Sequence, residues 1–178
     1  GGGQADVGEV TSAVRGDALT NRTLALLHGV RVLPSADAVD VAEDAAVVDA
    51  LYGTGLNHAI EGDAAILIHR LNDHPQIPVI AVDIPSGLDG TTGRALGADV
   101  VRAAETVTFH RIKQGLLLRQ GVEYTGKITV QPILIRPGDD IDLGFDGLET
   151  LSPAALAPLF ARTPALHKGD CGRAVIFC

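Results

Sequence analysis

No methionine occurs anywhere in the 178 residues, and the chain opens Gly1-Gly2-Gly3 where a natural reading frame begins with one. It stops inside an apolar run, Ala174-Val175-Ile176-Phe177-Cys178, where a strand should still be under way. Both features are expected of a piece of a longer protein. Cysteine is scarce: Cys171 and Cys178 lie together near the end and form no framework of the kind that staples small secreted domains. Positive charge is scarce too. Against 22 Asp and Glu stand 14 Lys and Arg, a net charge of −8, which argues against general phosphate-backbone binding because that rests on clustered cations. No apolar stretch approaches the ~20 residues of a spanning helix, and no basic-then-apolar leader opens the chain. The expectation is a soluble, cytoplasmic protein that engages neither nucleic acid nor membrane.

What is present is a large apolar fraction, 46%, in a chain long enough for one domain and part of a second. That supports a real core and argues against disorder despite the acidity. Short β-branched runs recur: Gly29–Leu33, Ala45–Asp49, Pro78–Asp83, Thr106–His110 and Lys127–Val130. The second and third are almost wholly apolar, as strands buried on both faces should be. Between them lie helical stretches. Asp17 can cap a helix running through Leu19, Thr23, Leu26 and Leu27 and ending at Gly29. Asp63 can start another, with Ala64, Leu67, Ile68 and Leu71 on one stripe and His74-Pro75 as its stop. Strand alternating with helix predicts an α/β, three-layer sandwich around a mostly parallel, Rossmann-like sheet. A turn and acidic stretch from Arg136 mark a linker over 137–150. Ser152-Pro153 then reads as a fresh helix start, so 151–178 is the leading edge of a second domain and too short to fold alone.

In such a sheet, ligands bind beyond the carboxyl ends of the strands, where loop amides and helix N-termini point. Two loops there carry unusual residues. One runs from Asp49 through Tyr52, Gly53, Thr54, Gly55, Leu56, Asn57 and His58. The other runs from Asp83 through Pro85, Ser86, Gly87, Leu88 and Asp89. Each apolar strand delivers one carboxylate to the same rim. Carboxylate, hydroxyl and carbonyl oxygens suit a hard cation, which Asp49 and Ser86 could hold jointly. Asp83 could meet ligand hydroxyls or serve as an acid/base group. Lys113 follows the Thr106–His110 strand and falls at the same edge. Pro-Ser-Gly-Leu is not the hydrolase elbow, and the six histidines lack zinc-ligand spacing.

These segments resemble the NAD(P)H-hydrate epimerase family, the N-terminal domain of a bifunctional nicotinamide-nucleotide repair enzyme. The likeness is carried by Val47–Leu56, by Val82–Asp89, and by Thr106–Phe109 with Lys113 and Gly115, all in order and spacing over about residues 16–135. Gly16–Asn21 also looks like a stretch of that family. At the far end, His167-Lys168-Gly169-Asp170-Cys171-Gly172 resembles the opening of the ADP-dependent dehydratase domain that follows the epimerase. That domain's nucleotide-binding residues would lie downstream, so ADP or ATP is expected only for the missing part.

The resemblance implies interconversion of the R and S forms of hydrated NAD(P)H, termed NAD(P)HX. It implies a potassium ion on Asp49 and Ser86. It implies substrate on Gly53, Thr54, Gly55, Leu56, Asn57, His58 and Ala59, on Asp83, and at Lys113. Proton transfer falls to Asp83 or Asp49. The family's glycine-asparagine phosphate loop is absent from this sequence, and with it the first strand is expected to be missing. His58 stands where Arg is common and Gln114 where Pro is. Loss of a strand opens neighbouring sheet edges, so self-association is expected. The competing reading is a non-catalytic binding module of the same fold. A plain dinucleotide oxidoreductase is disfavoured because no G-x-G-x-x-G follows a first strand.

Overall fold

A computed structural model of the chain describes residues 6–8, 14–33 and 45–135, together with Ala154. The described residues other than Ala154 belong to the first of two compact units, Gly1–Leu143. The expected linker at 137–150, the segment resembling a dehydratase opening and the glycine-rich start all lie outside the described residues.

The described residues form two parallel sheets. The first pairs β1 (Asp6–Gly8) with β2 (Arg31–Leu33), joined through helix α1 (Asp17–Leu27). The second has the order β3-β4-β5-β6, formed by Val47–Asp49, Val79–Val82, Glu105–Phe109 and Lys127–Gln131. Every pairing in it is parallel, so each strand delivers its carboxyl end to one rim. Helix α2 (Gly62–Asn72) provides the crossover from β3 to β4, and a short helix α3 (Gly121–Tyr124) precedes β6. This is the α/β, Rossmann-like arrangement that the alternating pattern predicts. No helix among the described residues is long and apolar enough to cross a membrane.

Helix α2 follows from its stripe. Ala64, Leu67, Ile68 and Leu71 recur at three- and four-residue spacing, and all four are buried. Ala64 and Ile68 pack with Ile60, Val79 and Val101, so the helix lies against β4 and the segment before β5. Each fully buried Leu or Ile stabilises the fold by about 1.5–3 kcal/mol. A second cluster, Ile84, Leu88, Val100 and Leu116, fills the space beneath the loop after β4. That cluster anchors the rim on which the site is built.

Several boundaries differ from expectation. Asp17 is the first helical residue of α1 and Gly16 its cap, with φ 60° and no side-chain hydrogen bond. The carboxylate therefore acts on the helix dipole rather than as a cap. Gly29, at φ 80°, ends the helix in the left-handed conformation, so β2 begins at Arg31 rather than at Gly29. Strand β5 runs Glu105–Phe109 because His110 turns away at φ 62°. Strand β1 was not foreseen. Its three residues are too few to show a period-2 pattern.

Candidate functional site

The rim beyond β3, β4 and β5 gathers the singled-out residues into two clusters. The first centres on Asp49, the last residue of β3, which is 3% exposed. The Ser86 amide donates to its Oδ2 at 2.8 Å, and the Ser86 hydroxyl to its Oδ1 at 2.7 Å. The Leu51 amide adds a longer bond to Oδ1 of 3.3 Å. Ser86 Oγ in turn accepts from the Tyr52 amide at 3.0 Å and lies 3.3 Å from the Tyr52 carbonyl. One hydroxyl thus locks the end of β3 to the loop after β4. Burial pushes the Asp49 carboxyl above its ordinary value, opposed by the Ser86 and Leu51 hydrogen bonds.

That loop can approach so closely because Gly87 follows Ser86. Its φ is 93°, and a Cβ there would sit 2.5 Å from the Asp99 carbonyl oxygen. Only glycine meets both demands without strain. The Ser86 carbonyl accepts from Val101 and the Gly87 carbonyl from Leu96, which ties the loop to the segment leading into β5.

The second cluster centres on Asp83, the residue after β4, at φ 71°. Its amide donates to Val107 O of β5 at 2.8 Å, which holds this left-handed turn against the neighbouring strand. Lys113 forms a close ion pair with Asp83 Oδ1. The Phe109 amide donates to the same oxygen at 3.1 Å and the Thr108 hydroxyl at 3.2 Å. Lys113 Nζ also donates to Thr108 Oγ1 at 3.1 Å and to the Phe109 carbonyl at 3.0 Å. Desolvation alone would raise the Asp83 pKa. The Lys113 ammonium, the Phe109 amide and the Thr108 hydroxyl together outweigh it, and the carboxyl lies below its ordinary value.

The glycine loop lies beside this cluster. Leu56 N donates to Gly53 O at 3.2 Å, closing a turn in which Gly53, Thr54 and Gly55 are exposed and Leu56 tucks into the core. Asn57, His58 and Ala59 are exposed, and His58 Nδ1 is 2.9 Å from the Ala59 carbonyl. Gly90 links this loop to Lys113. A Cβ on it would stand 3.5 Å from Thr54 Cγ2 and 3.8 Å from Lys113 Cγ. Loops after β3, β4 and β5 therefore converge at one place. Among the described residues no hydrogen bond joins the Asn57–Ala59 part of the loop to either carboxylate.

Thr108 is the site residue that sequence reasoning passed over. A signal existed. In Glu105-Thr106-Val107-Thr108-Phe109 the two threonines occupy the buried positions and Val107 is only half-buried. Polar side chains on the inner face of a strand need partners. Thr106 finds one in the Thr125 carbonyl at 2.7 Å, and Thr108 finds Asp83 and Lys113.

Fold and rim together define a parallel α/β domain whose polar centre lies at the carboxyl ends of adjacent strands. The chain belongs to the family described as YjeF-related protein N-terminus, whose profile matches residues 4–115. It is similar to the bifunctional NAD(P)H-hydrate repair enzyme Nnr of Pyrobaculum aerophilum, at 40% identity over 131 residues, covering 73% of this chain and 24% of that protein. The protein of that name from Escherichia coli is 41% identical over 135 residues, covering 73% and 25%. The NAD(P)H-hydrate epimerase of Weissella koreensis is 42% identical over 87 residues, covering 49% and 38%. The match thus spans about a quarter of the bifunctional relatives' length.

Proposed function

We propose that this chain carries the epimerase part of a nicotinamide-nucleotide repair protein, interconverting the R and S forms of NAD(P)HX. The observation that carries the reading is the Asp83 cluster at the convergence of three loops, in a chain whose relatives are named for that substrate. Asp83 is the group we assign to proton transfer. In its protonated state it gives a proton to the leaving C6 hydroxyl while the ring nitrogen lone pair forms the C–N double bond. Water then departs. Water returning to the opposite face bonds to C6, the electron pair goes back to nitrogen, and the proton returns to the carboxylate. Atoms and charge balance over the cycle. Between the two proton transfers the carboxylate is anionic and faces the cationic intermediate, a favourable electrostatic arrangement. Substrate binding is assigned to the Gly53–Ala59 loop.

Asp49 has the opposite character. It is buried, bonds no cationic side chain among the described residues, and groups its oxygens with Ser86 Oγ near Tyr52 O. That donor set fits potassium, a weakly polarising cation, and Asp49 and Ser86 are the residues that would hold it. Such an ion would supply loop and substrate orientation rather than Lewis acidity.

The test is epimerisation of purified R-NADHX, followed chromatographically with potassium chloride or choline chloride. Appearance of the S form faster than the spontaneous rate, and faster with potassium, is expected. Absence of any acceleration would overturn the catalytic assignment for this chain and favour a non-catalytic binding module.

A further inference from the structure

Asp83 presents its two carboxylate oxygens very differently. Lys113 Nζ, Thr108 Oγ1 and the Phe109 amide all donate to Oδ1, whereas none of the described residues donates to Oδ2. Lys113 is equally committed. An ammonium has three hydrogens, and its three acceptors are Asp83 Oδ1, Thr108 Oγ1 and the Phe109 carbonyl. Its side chain is 23% exposed, and no hydrogen is left over for a phosphate or a ring oxygen. Thr108 closes the triangle: its hydroxyl accepts from Lys113 and donates to Asp83, so a single rotamer serves both. It is 0% exposed and out of reach of any ligand.

Resting on the epimerase reading, we propose that Asp83 works through Oδ2 alone, and that Lys113 and Thr108 are positioning residues that hold Oδ1 rather than ligand contacts. The carboxylate plane is then fixed by three donors on one oxygen, while the other accepts no hydrogen bond from the described residues and the side chain is 22% exposed. A carboxylate that could rotate would offer either oxygen to substrate and misplace the proton for much of the time. Positioning of this kind carries a large part of a catalytic rate, and a displacement of about 1 Å can cost ~10²-fold. The charged and titratable groups on the elements around Asp83 include Lys113, His110 and Arg111 after β5, Asp89 in its own loop, and Asp49 and His58 at and after the end of β3. Of these, Lys113 is the one bonded to its carboxylate.

The reading of Lys113 as a substrate contact makes the contrary prediction, so the two separate cleanly. The experiment compares Lys113→Gln, Thr108→Val and Thr108→Ser in the chain, with two readouts. The first is the 13C-detected pH titration of the Asp83 carboxyl, which needs neither turnover nor substrate. The midpoint is expected to rise in Lys113→Gln and in Thr108→Val and to return towards the starting value in Thr108→Ser, which keeps the hydroxyl. The second is steady-state epimerisation. There kcat should fall about 10²-fold in Lys113→Gln with KM nearly unchanged, and recover in Thr108→Ser relative to Thr108→Val. An unmoved Asp83 midpoint in both Lys113→Gln and Thr108→Val overturns the proposal, as does a Lys113→Gln defect confined to KM. Thr108→Val keeps the shape of the buried side chain, so an unfolded Lys113→Gln would not remove the test. A chain that titrates as expected but does not epimerise would refute the epimerase reading and leave the positioning intact.

Discussion

Asp49 and Asp83 end adjacent strands of one sheet, yet their surroundings drive them apart. Asp49 is sealed behind Ser86 with hydrogen-bond donors and, among the described residues, no cationic side chain, and burial raises its pKa. Asp83 is part-exposed, carries a lysine on one oxygen, and its pKa is lowered. The contrast shows how one fold can give one residue type two opposite environments. A buried carboxylate without a counterion favours a proton or a cation, whereas a lysine-paired carboxylate at a rim favours its anionic form.

The comparison breaks most visibly under Asp83→Asn. The variant keeps the shape and removes the exchangeable charge, so epimerisation should fall by about 10²–10⁴-fold, with a loss of thermal stability from the broken Lys113 ion pair that is small beside it. Chromatographic assay beside a melting curve checks this, and unaltered turnover would remove Asp83 from the chemistry. On the other carboxylate the larger effect should be on stability. Ser86→Ala takes one hydrogen bond from a buried charge and leaves the Tyr52 amide without its acceptor. A cost of about 1–3 kcal/mol is expected by denaturant unfolding, and a cost below measurement error would mean that the lock between β3 and the β4 loop is unimportant.

Acid titration sharpens the contrast. The folded Asp83 pKa lies below the ordinary 3.8, so its ionised form contributes stability above 3.8 that is lost as pH falls through the lower folded value. Asp49 runs the other way. Its folded pKa lies above 3.8, so its contribution is complete below 3.8 and is lost as pH rises through the raised value. Asp83→Asn should therefore flatten the decline of stability on acidification, and Asp49→Asn should steepen it. Denaturant midpoints measured across the acid range decide, and slopes shifting the same way in both variants would erase the distinction. The smallest expected effect is ionic. Potassium chloride should raise the melting temperature above that in matched choline chloride, by mass action, and the difference should vanish in Asp49→Asn.

Much of this architecture was legible in residue order. The α2 stripe, the glycine that ends α1, and the delivery of Asp49 and Asp83 to a common rim all follow from periodicity and strand polarity. Asp49 and Ser86 were expected to hold a cation jointly; in the structure two hydrogen bonds join them directly. Thr108 was not anticipated, because a threonine in a β-branched strand looks like strand propensity until its inward face is known. Lys113 was placed at the rim where the structure has it, but its partners there were not foreseen. Its commitment to three acceptors depends on where the loop after β5 returns.

The sequence by itself determined the strand-helix alternation, the direction of the sheet and the chemical types at its rim, because hydrophobic period and chain polarity are local properties. Only the tertiary structure decided which carboxylate is sealed and which is paired. Those outcomes rest on contacts across 25 to 37 residues of chain, between Asp49 and Ser86 and between Asp83 and the Thr108–Lys113 segment, and local pattern does not encode them.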